Sequence, residues 1–476
     1  MTDTSNMTPE AQDTLNALKM AYEETPDSAP AAAAFIQGMR RAKIIDPFIV
    51  HDVAKPLYEK FKDNRAVVGH YKWTLYDIVK KHTEKANIRA ASETILTALQ
   101  VSPESETAKS IFIPQLAWAV RGLSWSLRDM PFAERQEEAL NLLSVSRKLY
   151  PFLKRCVARL DTLPNKNSDE YEKLAQVRDI YFDSVRRIAK EAEAWEALRD
   201  LGWNVVSGKI AVSDPAQYGQ ALFSAIFEDI PEPDEIGDVI DDFMLIYGRN
   251  EYLMSAYARW LARRAEPDRA RAAFRLAVAL AETPWPWRDS GRFLAERNDA
   301  AEATTAFQAS LSKVDVEELG STWRVHFELA KLHLDMGENE AAGIEAHLAQ
   351  AVRAETEWSA NVELDSFIEE KSGVLGEHIS AARGRRPREI ISDRIETTYK
   401  PAWEDFLANS AVAGTVEEIA PLDNGRRAVI QTKTGETAYL TLNADEHPPE
   451  KGGSVFVIEM PMKTGKDAEI VNDVIW

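Results

Sequence analysis

Cysteine is almost absent from this chain of 476 residues: a single one, Cys156, leaves no internal disulfide framework and no cysteine-rich zinc site. Its setting, Lys-Arg-Cys-Val-Ala, reads as buried filler rather than a reactive thiol. No run approaches the ~20 apolar residues that cross a bilayer, and the polar opening Met1-Thr2-Asp3-Thr4-Ser5-Asn6 has neither the charged nor the apolar region of a signal peptide, so the sequence predicts a cytoplasmic protein without a membrane partner. Phosphate-cradling glycine loops are missing, as are the H-E-x-x-H and G-x-S-x-G patterns, so nothing points to an enzyme, a nucleophile or a cofactor. The eight histidines are scattered. The densest group is His326, His333 and His347, and with no cysteine or carboxylate at ligand spacing it predicts no metal site. A formal net charge of −20 argues against a surface that embraces nucleic acid as a whole, so any such contact has to be local.

What is present is a folded composition, 45% hydrophobic and 28% charged, over a length that predicts two or more units. Up to about Leu407 the chain is rich in Ala, Leu, Glu and Arg with apolar positions at helical spacing, and prolines fall mostly between the helical stretches. Within it, Trp287, Gly291, Ala303 and Phe307 stand at offsets of 4, 12 and 4. The same offsets relate Met254, Ala258, Ala270 and Phe274, and then His326, Ala330, Ala342 and Ala346. Small residues at the second and third positions let two helices approach, and bulky ones fill the space between successive hairpins.

These positions, recurring near the ~34-residue period, resemble the tetratricopeptide repeat family over about 250–352. His326 and Ala346 depart from the pattern. The resemblance implies a stack of helix hairpins that binds a protein partner. Earlier, Trp118, Gly122 and Trp125, with Ala139 after a long turn, mimic a further hairpin, and Gly69, Trp73, Leu75 and Tyr76 begin another; Trp118 and Trp125 read as packing between hairpins. From 165 to 250 only helices broken by Pro215, Pro231 and Pro233 are legible.

From Ala411 the composition changes to the β-rich runs Ala411–Ile419, Arg426–Lys433, Thr437–Leu442, Ser454–Met460 and Ala468–Ile475, with glycines at the turns. The expected fold class is therefore mainly α: a divergent helical-repeat region over 1–250, tetratricopeptide-like repeats over 251–382, a basic linker over 383–410, and a small five-stranded OB-type β-barrel over 411–476. Gly414-Thr415-Val416, Gly453-Ser454-Val455-Phe456 and the run Lys463 to Ala468 resemble the S1 and cold-shock branch of OB folds, which implies contact with single-stranded RNA or DNA.

That branch stacks bases on strand aromatics. Arg427 and Val429 stand where two would be, and Tyr439 alone keeps a ring. The segment is itself acidic, six Lys and Arg against eleven Asp and Glu, so Arg383, Arg385, Arg386 and Arg388 of the linker, with Arg426 and Arg427, would supply the attraction to phosphate; the other reading is a solvated linker that pairs with the acidic helices. Trp285, between Pro284 and Pro286, is the candidate anchor for a protein partner.

The combination resembles the accessory proteins of bacterial conflict systems of the TOTE type. Two functions follow: a scaffold that holds a protein partner on its helices while the barrel touches RNA or DNA, or a purely protein-binding adaptor with a degenerate barrel.

Overall fold

The computed structural model of the chain describes residues 8–101, 111–166, 168–312, 322–355 and 361–410, and in the C-terminal stretch 412–422, 425–433, 437–443, 450–452, 454–464 and 467–475. Two compact units emerge, Met1–Ile230 and Pro231–Trp476.

The first unit contains α1 (Pro9–Glu23), α2 (Ala29–Arg41), α3 (Pro47–Lys60), α4 (Arg65–Glu84), α5 (Ile88–Val101), α6 (Phe112–Ser126), α7 (Phe132–Val157), α8 (Asp169–Glu191), α9 (Trp195–Val206) and α10 (Ala216–Phe227). Thr8, Ser28, Asp46, Asn64 and Ser168 each accept a hydrogen bond from a first-turn amide, which is why helices begin there. One continuous core runs through the unit from Ala11 to Ala225. It includes Cys156, whose thiol burial pushes up.

The second unit contains α11 (Ile236–Tyr247), then three hairpins: α12 (Glu251–Arg263) with α13 (Pro267–Ala279), α14 (Trp285–Ala295) with α15 (Ala300–Ser312), and α16 (Trp323–Asp335) with α17 (Asn339–Glu355). These lie where the 4-12-4 spacing puts them, and Met254, Ala258, Ala270, Phe274, Trp287, Ala303, Phe307, Ala330 and Ala342 are all buried. A Cβ at Gly291 would stand 2.9 Å from the Phe307 ring, so the aromatic at the fourth position is seated on the missing side chain at the second.

The same turn closes each hairpin. Ala265, Asn298 and Gly337 have φ of 57°, 61° and 79°, and the next amide reaches back to Leu261, Leu294 and His333 at 3.1, 3.0 and 2.8 Å. Ala86 and Glu193 do the same between α4 and α5 and between α8 and α9, in the region whose repeat signal is faint.

After the hairpins come α18 (Val362–Glu370), α19 (Ser372–Ala382), α20 (Pro387–Arg394), a π-helical turn over Ile395–Tyr399, and α21 (Lys400–Ser410). Residues 387–410, expected as a linker, are therefore helical: buried Ile390, Ile391 and Tyr399 give the segment an apolar side that needs a neighbour. Ala346 departs from the repeat pattern for a related reason. It belongs with Ala330, Ala342, Leu375 and Ile379 to one cluster, where its small side chain admits α19. The unit boundary also moves, since α11 lies with the hairpins rather than with the region before 250.

Five antiparallel strands end the chain: β1 (Val412–Leu422), β2 (Gly425–Thr432), β3 (Thr437–Asn443), β4 (Ser454–Thr464) and β5 (Asp467–Ile475), in the order β3-β2-β1-β4-β5. β1 serves β2 from Gly414 onward and β4 over Val412–Thr415, with a bulge between Val416 and Glu418. Among the described residues no ladder joins β3 to β5, although the two approach each other. The hydrogen bonding is thus that of an open sheet, not the closed barrel the sequence suggested.

Gly291→Leu is expected to displace the Phe307 ring and lower unfolding stability by about 1–3 kcal/mol in urea titrations. An unchanged midpoint would mean that α14 and α15 do not meet through this contact.

Candidate functional site

The histidine group resolves into separate pairs. His326 Nδ1 lies 2.6 Å from Glu345 and His333 Nδ1 lies 2.6 Å from Glu338, while burial and then the Arg383 charge hold the His347 imidazole below its usual value. Among the described residues no group of three or more His, Cys, Asp or Glu is placed to hold a metal ion.

Glu345 is fully buried and is the centre of a larger network. Besides His326 it accepts from Arg394 of α20 at 2.8 Å, and Arg394 in turn donates to the Tyr399 hydroxyl at 3.2 Å. Burial alone would raise the carboxyl's affinity for a proton. The Arg394 charge and the His326 hydrogen bond outweigh it and hold Glu345 below the usual carboxylate range. Burial beside that carboxylate pushes the Tyr399 phenol well up. Arg394, which in the sequence extends the basic linker, is thus a structural cation inside the fold.

A similar set sits at the other end of the hairpins. The Tyr257 hydroxyl donates to Asp241 of α11, and Arg269 donates to Asp241 at 2.8 Å and to the Tyr257 oxygen at 2.7 Å. Burial and the Asp241 charge raise the Tyr257 phenol. Both sets join helices distant in sequence.

The opening suited to a partner lies on α12 and α14. A groove of about 860 Å³ is lined by Arg259, Arg263, Arg288, Arg292 and Arg297, with Phe274 and Phe293 at its floor and Asp289 and Glu296 as the acidic members. Offsets of four place Arg259 with Arg263, and Arg288 with Arg292, on one helix face each. Arg288 is half-buried: it stands 4.7 Å over the Trp285 ring, reaches Asp289 at 3.3 Å, and leaves its Nε buried without a hydrogen-bond partner. Burial and the nearby Arg292 and Arg324 guanidiniums bring its pKa below the usual value, despite Asp289. Among the described residues the groove thus gathers five arginines around two carboxylates inside a strongly acidic chain.

Trp285, the candidate anchor, is half-buried beneath Arg288. Arg383, Arg385, Arg386 and Arg388 are exposed around the end of α19 and the start of α20, but not as a free basic patch: Arg385 pairs with Asp393, and Arg385 and Arg388 share a shallow depression with Glu389 and Asp393. The side chains of Arg426, Arg427 and Tyr439 lie outside the described residues. Their backbones place Arg427 opposite Thr441 and Tyr439 opposite Val429 on neighbouring strands.

Trp118 and Trp125 do not pack between hairpins. They are 38% and 39% exposed, with Arg121 5.2 Å over the first ring and Arg187 4.0 Å over the second. The groove arginines went unnoticed in the sequence, where the i, i+4 pairs on first-helix positions were the available signal. Contacts between Glu345 and Arg394 leave no such trace.

Arg394→Met is expected to cost about 3–5 kcal/mol near pH 7, because a buried carboxylate loses its cation. In the native protein the contribution of Glu345 is present above its ordinary value of 4.5 and is lost as the pH falls through the lower folded value. In the variant only the histidine contacts still oppose burial, so the folded value rises, protonation relieves part of the cost and the deficit should narrow as the pH is lowered from neutral. Urea titrations across that range check it, and a deficit of constant size would show that Glu345 does not sense Arg394.

No family model matches the chain, and no curated protein matches it. Among solved structures it is similar to one described as the structure of Naa15/Naa10 bound to HypK-THB, with a TM-score of 0.27 and 10% identity over 83% of this chain and 72% of that one. It is also similar to a circular tandem repeat protein with novel repeat topology and enhanced subunit contact surfaces, with a TM-score of 0.20 and 11% identity over 81% of this chain and 90% of that one.

Proposed function

We propose that this chain is a non-catalytic adaptor whose repeat hairpins hold an acidic segment of a protein partner. The observation that carries this reading is the groove on α12 and α14, where five arginines face two carboxylates in a chain of net charge −20. Guanidiniums fork onto carboxylates in pairs, and Arg and Trp are the side chains enriched where partners bind tightly, so Trp285 beside Arg288 belongs to the same surface. The apolar floor offers a place for one or two hydrophobic side chains between the acidic ones.

Fluorescence anisotropy with labelled peptides that alternate Glu or Asp with Leu tests it. Arg259→Glu with Arg292→Glu should weaken binding by about tenfold or more, equivalent to about 1.4 kcal/mol, and Trp285→Ala by less. Binding that is absent at low salt, or untouched by the double reversal, overturns the reading.

A finer reading adds single-stranded RNA or DNA on the five-stranded sheet, with Tyr439 stacking and Arg383, Arg385, Arg386, Arg388, Arg426 and Arg427 facing phosphate. It is supported by the S1 and cold-shock resemblance and by the strand register, and a place in a conflict system rests on resemblance alone. If it holds, Tyr439→Ala lowers oligo-U affinity by roughly 1–3 kcal/mol with the salt slope nearly unchanged. Equal affinity of that variant and the native protein sinks it.

A further inference from the structure

The first unit contains a second basic opening, unrelated in sequence to the repeat groove. A cavity of about 770 Å³ is bounded by the end of α2, the connection to α3, the first turn of α3 and one face of α4. Five cationic side chains line it. Arg40 is bound to Asp77 at 2.7 Å, and Lys81 lies 3.9 Å from Glu84, the cavity's other carboxylate. Among the described residues Arg41, Lys43 and Lys80 have no carboxylate partner, and all three are exposed.

They come together through the fold rather than through sequence proximity. Arg41 is at the end of α2, Lys43 is on a connection pinned by buried Ile45, and Lys80 is on α4 two turns beyond Trp73. The Trp73 indole, half-buried, forms part of the wall, in T-shaped contact with Tyr76 at 5.6 Å and Phe112 at 5.4 Å and with the Arg40 guanidinium 5.9 Å over the ring. His70 also lines the wall, where burial and the Arg40 and Arg41 charges hold its imidazole below the usual value. It is therefore neutral at pH 7 and able to hydrogen-bond there without adding charge.

We propose that this cavity binds a small molecule carrying several phosphate groups. Three uncompensated cations around an opening of small-molecule size call for about three negative charges in a compact ligand, which an oligophosphate supplies and a mono- or dicarboxylate does not. A chain with 77 acidic against 57 basic side chains gathers such charge only locally, so the site is selective against its own acidic surface. The Trp73 indole in the cavity wall offers a planar group attached to those phosphates an aromatic surface.

Isothermal titration calorimetry on the full-length protein, in about 50 mM salt where screening is weak, uses inorganic tripolyphosphate and magnesium-free ATP as the probes. Saturable one-to-one binding is expected. Arg41→Glu with Lys80→Glu should weaken it by about tenfold or more, and Arg41→Gln with Lys80→Gln by a smaller factor, since reversal adds repulsion to the loss of attraction. Both residues are exposed and, among the described residues, without a carboxylate partner, so the variants should keep the native circular dichroism spectrum. Arg259→Glu with Arg292→Glu, in the other unit, should leave this binding unchanged.

Equal affinity for the two probes assigns the site to phosphate groups alone, and tighter ATP binding that is lost in Trp73→Leu assigns the indole to a base; both support the proposal. It is overturned by the absence of saturable heat with either probe, by native affinity in the Arg41 and Lys80 variants, or by an equal loss in the Arg259 and Arg292 variant, which would reveal a general attraction of polyanions.

Discussion

The second unit depends on a carboxylate placed where no carboxylate should be left alone. Glu345 is removed from water by α16, α17 and the helical segment after them, and remains ionised because Arg394 and His326 reach it. Asp241, Tyr257 and Arg269 repeat the arrangement at the first hairpin. A stack of hairpins exposes an apolar face at each end, and something must cover it. Here the covering helices are located by charge as well as by shape: α11 fits against the first hairpin in the register that brings Asp241 to Arg269, and α20 fits the last in the register that brings Arg394 to Glu345. An apolar cover alone could slide by a turn at little cost. A buried ion pair cannot.

Between those ends, the hairpins are joined by smaller polar links of one kind. Arg271 on α13 reaches Asp299 at 2.9 Å and Glu302 at 2.6 Å beside α15, and Glu251 at the start of α12 accepts from the Glu282 amide and the Thr283 hydroxyl just before α14. These acidic groups are spent on neighbouring repeats, while Arg259 and Arg292 line the groove. The distribution of charge explains how so acidic a chain presents two basic openings, one in each unit. Carboxylates that pair within the fold cannot neutralise cations outside those pairs, so the local sign of the potential is set by which groups are used internally.

Repetition in this chain lives in backbone geometry more than in residue identity. The left-handed turn that closes the hairpins is a glycine only at Gly337; it is alanine at Ala86 and Ala265, asparagine at Asn298 and glutamate at Glu193. Each non-glycine accepts an unfavourable φ because the hydrogen bond that follows it and the packing of both helices outweigh the cost. Gly202 makes the same point. Tyr218 and Leu222 of α10 crowd its α-carbon as Phe307 crowds Gly291, but the connection between α9 and α10, residues 207–215, is longer than a repeat turn, so the spacing that would have revealed it is broken.

The sequence by itself determined the helical class, the change to β-structure near 411 and the three hairpins of 251–355, because helix contacts four residues apart and turns of fixed length imprint a period on the chain. Small residues at Ala258, Gly291 and Ala330 could be read because they act over a few residues. Only the tertiary structure decided that Arg394 is an internal cation, that 387–410 is helical, that Trp118 and Trp125 face outward beneath arginines, and that Arg41, Lys43 and Lys80 share one cavity. Those outcomes depend on which distant surfaces meet. Burial converts an ordinary arginine into a structural one, and nothing local in Asp-Arg-Ile-Glu distinguishes the residue that will be buried from those beside it that remain in water.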